Sequence, residues 1–196
     1  DPTSRAFVKS GSAAADIVEH QLKLYLRAEN PLILDFGAGS GRVALPLAKN
    51  NPSFSLTCVD VDEEAIDYLV TQLPKRCLAE VCGYQPPLKF SDDSFDALYS
   101  ISVWSHFPKD VGMAWLNEVK RVTKPGAILI ITTAGKNVLA DWREKGTQWK
   151  NVTDEDFEKE KYIYKEYLNL NSQGEYYPGI SGEGSWGGTL LHPDYI

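Results

Sequence analysis

The sequence predicts a doubly wound α/β fold, a mostly parallel sheet with helices on both faces. Three observations carry that prediction. Apolar runs near 32–36, 96–101 and 127–133 read as strands buried on both faces, as parallel strands are. Segments with helical spacing alternate with the strands across short turns, the pattern of a layered α/β sheet. A glycine-rich turn, Gly37-Ala38-Gly39-Ser40-Gly41, follows the first strand where it should hand over to a helix.

Each element follows from local chemistry. Residues 12–27 carry Ala13, Ile17, Leu22, Leu24 and Leu26 at helical spacing, with Ser10 or Ser12 as the cap. Strand one runs over 32–36 and helix A over 42–49, with Pro46 in its first turns, where a missing N–H costs least. Strand two is 55–61. Helix B follows over 63–73, with Asp62 as N-cap and acids in its first turn that suit the helix dipole. Strand three is 78–82, and a loop through Pro86 and Pro87 leads to strand four at 96–101. Helix D spans 110–122 with one apolar stripe of Met113, Leu116, Val119 and Val122. Pro125-Gly126 makes a turn before strand five at 127–133. Residues 137–150 read as a short helix and a loop. Thr153 starts a helix, and Tyr162-Ile163-Tyr164 reads as either helix or strand. The glycine-rich stretch 174–188 reads as a lid or acceptor-binding loop, or else as a mobile surface loop. One domain is expected over 1–196: a helical segment at 1–30, a cofactor core at 31–135 and an acceptor or lid region at 136–196. No clear pair of apolar strands closes the sheet before Ile196, so its last strands are expected to lie outside this chain.

With 196 residues, 43% hydrophobic and 24% charged, the chain is ordinary for a globular domain. A formal charge of −7 speaks against a phosphate backbone or an anionic membrane as partner. A small-molecule partner is therefore expected, with no nucleic acid and no membrane; the oligomeric state is left open. Cys58, Cys77 and Cys82 fit neither a disulfide framework nor a zinc pattern, and no metal is expected. Nothing resembles a signal peptide, and a cytoplasmic location is expected.

The turn carries the first chemistry. Gly37, Gly39 and Gly41 permit positive φ and strip away side chains that would hold a ligand off, so bare backbone at Ala38 and its neighbours can meet a nucleotide-like group. Asp60 closes the next strand, where its carboxylate can accept from both hydroxyls of a ribose; the alternative is a solvated acid. Asp62 is better explained as the helix cap. Asp35, at the end of strand one, can anchor a ligand ammonium or hold the turn by accepting backbone N–H groups. The spacing is G-x-G-x-G, without the later glycine of G-x-G-x-x-G, which speaks against a nicotinamide oxidoreductase.

These segments resemble the class I S-adenosylmethionine-dependent methyltransferases, in particular their small-molecule-type branch. The similarity covers about 32–133. Residues 34–42 resemble the first motif of that family and Val59-Asp60-Val61-Asp62 its ribose-binding motif. Ser94-Phe95-Asp96 and Ser105-His106-Phe107 resemble the segments around strand four, and residues 118–126 the run before strand five. The resemblance implies S-adenosylmethionine as cofactor, with its ribose on Asp60, Val61 beside it, its methionine part against the glycine turn, and Asp35 toward its amino group. Ser100, Ile101 and Ser102 would offer backbone to the methionine side. One departure stands after strand three, where the family usually has an acid for the adenine amine. This chain has Tyr84 and Gln85, one to stack on the base or the other to offer a polar contact.

Methyl transfer is an in-line displacement, so alignment and exclusion of water do most of the work. A general base is needed only for a weakly acidic acceptor, and His106 is the candidate, with a structural histidine as the alternative. Trp104, Trp142 and Trp186 are candidates for the wall of an acceptor pocket, with Phe107 beside Trp104. The expected reaction is transfer to an oxygen or nitrogen of a small molecule or sugar-like acceptor. The alternative is a non-catalytic Rossmann-like module that binds cofactor or a partner.

Overall fold

The computed structural model describes residues 2–145, 149–166 and 187–191. The chain divides into two compact units, Asp1–Ile101 with Trp115–Ile131, and Ser102–Ala114 with Thr132–Ile196.

The first unit is the expected α/β layer structure. Its elements are α1 (Pro2–Tyr25), β1 (Leu32–Phe36), α2 (Ala44–Asn50), β2 (Ser55–Asp60), α3 (Glu63–Gln72), β3 (Leu78–Val81), β4 (Phe95–Ser100), the greater part of α4 (Lys109–Val122) and β5 (Thr123–Ile131). The five strands form one sheet in the order β3-β2-β1-β4-β5, and every pairing is parallel. The order reverses at β1. There the chain leaves β1, runs outward through β2 and β3, and returns to the other side with β4, so a crevice opens at the carboxyl ends of β1 and its neighbours.

One face of the sheet carries Ile33, Leu56, Cys58, Ala97 and Tyr99 in a core completed by Ala15, Val18 and Leu22 of α1, Leu47 of α2 and Leu69 of α3. On α1 the buried residues are Ala15, Val18 and Leu22, whereas Ile17 and Leu24 are exposed. Of the expected stripe, Leu22 is buried and Leu26, just past the helix, packs against the core, whereas Ala13, Ile17 and Leu24 face solvent. The expected caps at Ser10 and Ser12 are also corrected. Ser10 and Ser12 lie inside the helix, Pro2–Tyr25, and cap nothing at its start.

In α4 the expected Val119 and Val122 are buried and Leu116 is half-buried. Met113 is exposed, and the buried stripe is Trp115, Glu118, Val119 and Val122. Trp115 packs on Phe36 of β1 with ring centroids 4.7 Å apart, and its large apolar area sets the rotation of the helix. β5 begins at Thr123 rather than at 127. The residues around Pro125-Gly126 form an irregularity within the strand, where the register against β4 shifts between Phe95 and Ala97.

Glu118 explains why an acid sits on a buried stripe. It accepts from the Leu88 N–H (2.7 Å) and from Nη2 (2.6 Å) and Nε (2.9 Å) of Arg121. Arg121 also donates to the Phe90 carbonyl (2.9 Å) and to Asp92 (2.7 Å). The pair ties the loop before β4 to helix α4. Replacing Glu118 with Ala would leave a buried N–H and a guanidinium without their acceptor, and is expected to cost about 2–4 kcal/mol by chemical denaturation. The hydrogen bonds from Arg121 hold the Glu118 carboxyl below the usual carboxylate range. This stability is present above the unfolded pKa and lost as pH falls through the lower folded value.

The second unit has its own core of Ala134, Leu139, Trp149, Val152, Phe157, Ile163 and Leu190. Its elements are a 3₁₀ turn (Trp104–His106), α5 (Lys136–Glu144), α6 (Asp154–Glu160), β6 (Tyr162–Glu166) and β7 (Gly187–Leu191). Thr153 caps α6 reciprocally with Asp156, which satisfies two otherwise unpaired N–H groups. The ambiguous Tyr162-Ile163-Tyr164 is strand. β6 pairs antiparallel with β7 in a separate two-stranded sheet. Among the described residues no helix is long and apolar enough to cross a membrane.

Candidate cofactor site

The glycine turn is tied to the tip of β2 by hydrogen bonds. Gly37 and Ala38 N–H both donate to the Val59 carbonyl, at 2.9 and 3.0 Å. Asp60 then turns its carboxylate to the bend. Oδ2 accepts from the Gly39 N–H at 2.6 Å, and Oδ1 from the Asp62 N–H at 3.0 Å. Asp62 caps α3 by accepting from the Ala65 N–H.

Gly37, Gly39 and Gly41 all have positive φ, at 82°, 51° and 83°. Two of them face different surroundings. A Cβ on Gly41 would lie 2.3 Å from Leu69 Cδ1, so this residue is pressed against the core. A Cβ on Gly39 would meet nothing within 4 Å. The bend is thus packed on one side and open on the other. A carboxylate has about four lone-pair sites, and two backbone donors leave Asp60 able to accept from sugar hydroxyls as well. Turn, open face and acid together fit a nucleoside ligand.

Asp35 is buried, 3% exposed, on the same sheet row as Tyr99, whose hydroxyl donates to its Oδ2 at 2.7 Å. Burial pushes the Asp35 carboxyl up to about 7. Sequence reasoning missed Tyr99. The signal was there: a lone phenol in a strand of apolar residues. The strand register then sets Tyr99 directly opposite Asp35.

The other expected site residues fall as follows. Val61 is half-buried just past β2. Gly83, Tyr84 and Gln85 are exposed past the end of β3, where the Cys82 N–H donates to the Asp60 carbonyl at 2.8 Å. Ser100 is buried and spends its hydroxyl on the Phe36 carbonyl at 2.8 Å, so its side chain ties β4 to β1. Ile101 is half-buried.

Within the second unit, Ser102 has φ 66° and donates its N–H to Thr132 Oγ1 at 2.7 Å. Trp104 is buried, edge-on to Phe107 with centroids 5.6 Å apart, and His106 is half-buried in the same turn. Trp142 packs beside Trp149, centroids 5.0 Å apart, at the rim of that unit's core. Trp186 and most of the expected lid at 174–188 lie outside the described residues. Cys58 and Cys77 are buried free thiols, and burial pushes the Cys58 thiol up. Among the described residues no cluster of acids, histidines and cysteines is set to hold a metal ion.

A family model described as "Methyltransferase domain" matches residues 33–126, the stretch that builds β1 to β4, α4, the turn and Asp60. These residues form a class I S-adenosylmethionine-dependent methyltransferase domain. The cofactor of the methyltransferase is S-adenosylmethionine. Its fold is shared with a SAM-dependent methyltransferase from Methanosarcina mazei, 25% identical, with a TM-score of 0.62 over 88% of this chain and 78% of that one.

Among curated proteins, the methyltransferase is 28% identical over 124 residues to the tRNA N(3)-cytidine methyltransferase METTL2 of Gallus gallus, covering 59% of this chain and 34% of the relative. It is 30% identical over 122 residues to the tRNA N(3)-methylcytidine methyltransferase trm140 of Schizosaccharomyces pombe, covering 58% and 39%. The chain thus spans about a third of the length of the curated relatives it matches. Those names correct two expectations. A small-molecule acceptor and the exclusion of nucleic acid do not stand, because the relatives named here act on tRNA. The exclusion came from the charge of −7. A net charge sums over one stretch of chain and does not report a local basic surface.

Proposed function

We propose that this methyltransferase moves the methyl group of S-adenosylmethionine to a ring nitrogen of a nucleobase in tRNA. The observation that carries the reading is the similarity to tRNA N(3)-cytidine methyltransferases across the cofactor-binding stretch. When bound, the cofactor supplies an electrophilic methyl on a sulfonium. The protein contributes alignment: Asp60 holds the ribose, the open face at Gly39 receives the adenosyl part, and Tyr84 or Gln85 meets the base. Asp35 serves the amino group, with backbone from Ser100 and Ile101 beside it.

The acceptor chemistry decides what His106 does. N3 of a neutral cytosine already carries the lone pair that attacks, so no proton has to leave before transfer. A base at His106 is needed only if the acceptor is a hydroxyl or a protonated nitrogen. The target base has to leave its stack to be reached.

The test uses methyl-labelled S-adenosylmethionine with total tRNA, followed by digestion to nucleosides. Label in a methylated cytidine is expected, with activity that falls steeply as salt rises. Cofactor binding with no label in any nucleoside would contradict the reading.

A further inference from the structure

We propose that Tyr99 positions Asp35, and that this buried pair carries a proton in the cofactor-free chain which departs to solvent when the cationic amino group of the cofactor arrives. The inference rests on the cofactor assignment and goes beyond it. Cys58, Asp35 and Tyr99 are register partners on β2, β1 and β4, so they form one row across the sheet. All three are nearly sealed from solvent, at 0%, 3% and 0% exposure. The row lies in an apolar layer with Ile33, Leu56 and Ala97. A carboxylate there is costly unless something pairs it.

The groups that face the pair come from four directions. Burial and the charge of Asp60 on β2 favour the protonated acid, whereas the Tyr99 hydroxyl on β4 and Arg42 after the glycine turn favour the anion. The thiols of Cys58 on β2 and Cys77 before β3 lie against Tyr99. These effects leave Asp35 near balance at neutral pH. A cation placed beside it tips that balance. Asp35 lies on β1 two residues before the turn, with its Oδ2 held by Tyr99 of β4. A ligand whose sugar sits on Asp60 and whose chain crosses the turn brings its far end toward Asp35. The balance of the step is simple. The O–H bond of the Asp35 acid breaks, the proton goes to buffer, and the Tyr99 hydroxyl continues to donate to the same oxygen.

The experiment is calorimetry of the whole chain at pH 6, 7 and 8, in two buffers of different ionisation enthalpy. The probes are S-adenosylhomocysteine, which keeps the amino group, and methylthioadenosine, which lacks it. For the first, affinity is expected to rise about tenfold from pH 6 to pH 8, with proton release near pH 7. Methylthioadenosine should change by less than about twofold. Asp35→Asn, close to the same size, should abolish both the pH dependence and the release. Tyr99→Phe should move the midpoint upward, so that its loss of affinity is largest at pH 6 and shrinks as pH rises to 8. A purely structural tyrosine would weaken binding equally at every pH, and that result overturns the proposal. So does the same pH dependence with methylthioadenosine, or proton release that survives Asp35→Asn. Binding of neither probe at any pH would instead defeat the cofactor assignment, whereas binding without a linked proton defeats this inference alone.

Discussion

Gly41→Ala is expected to destabilise the chain by roughly 3 kcal/mol, and by more if Leu69 cannot move. Two costs add. At φ 83° an alanine is outside the conformations open to an L-residue at low energy, a penalty of about 1–2 kcal/mol. The new Cβ would also lie 2.3 Å from Leu69 Cδ1 and 3.1 Å from Leu45 Cγ. Leu69 is fully buried in the core under α3, so relief requires repacking, which typically costs about 1–3 kcal/mol. For a domain of this size the midpoint of thermal unfolding should fall by roughly 6–12 °C, as read by circular dichroism. A variant that melts within a degree of the parent would show that the turn is not pressed against the core.

Asp60→Ala is expected to weaken cofactor binding on the order of 100-fold or more while leaving the fold intact. A carboxylate that accepts from two ribose hydroxyls makes two charge-assisted hydrogen bonds, each worth about 1.5–3 kcal/mol. The same carboxylate fixes the Gly39 and Asp62 N–H groups. Both donors stand at the open end of the sheet, so water can replace the lost acceptor, and the loss of stability should stay near 1–2 kcal/mol. Calorimetry with S-adenosylhomocysteine separates the two effects. Unchanged affinity would refute the sugar assignment. Collapse of the fold would mean that Asp60 serves the turn alone.

The parts of the fold that were legible in the sequence are those where backbone geometry admits few residue types. A run of glycines at alternate positions after an apolar strand admits little besides a tight strand-to-helix turn. Asp62 and Thr153 were readable because an N-cap needs a short side chain that accepts from the next turn. Helix phase was harder to read. In α1 and α4 the expected Leu22, Val119 and Val122 do face inward, but Ala15, Val18 and Trp115 complete the buried faces while Ile17, Leu24 and Met113 lie outside. The buried role of Glu118 was not legible, because its partners at 88–92 come from far along the chain. Tyr99 stayed hidden for the same reason. Its role exists only once β4 lies beside β1. The acceptor was least legible of all. A charge total of −7 is a property of the whole sequence, while recognition of a nucleic acid is a property of particular surfaces, so the total could not exclude one.

The central claim is that the open side of the bend at Gly39, together with Asp60, holds the adenosyl cofactor. A titration of the isotope-labelled chain with S-adenosylhomocysteine, followed through backbone amide resonances, addresses it residue by residue. The largest shifts are expected at Gly39 and Asp62, which donate to the Asp60 carboxylate, and at Gly83, which follows Cys82 past the end of β3. Saturable binding that leaves those three amides unmoved, with shifts elsewhere in the chain, would contradict the account.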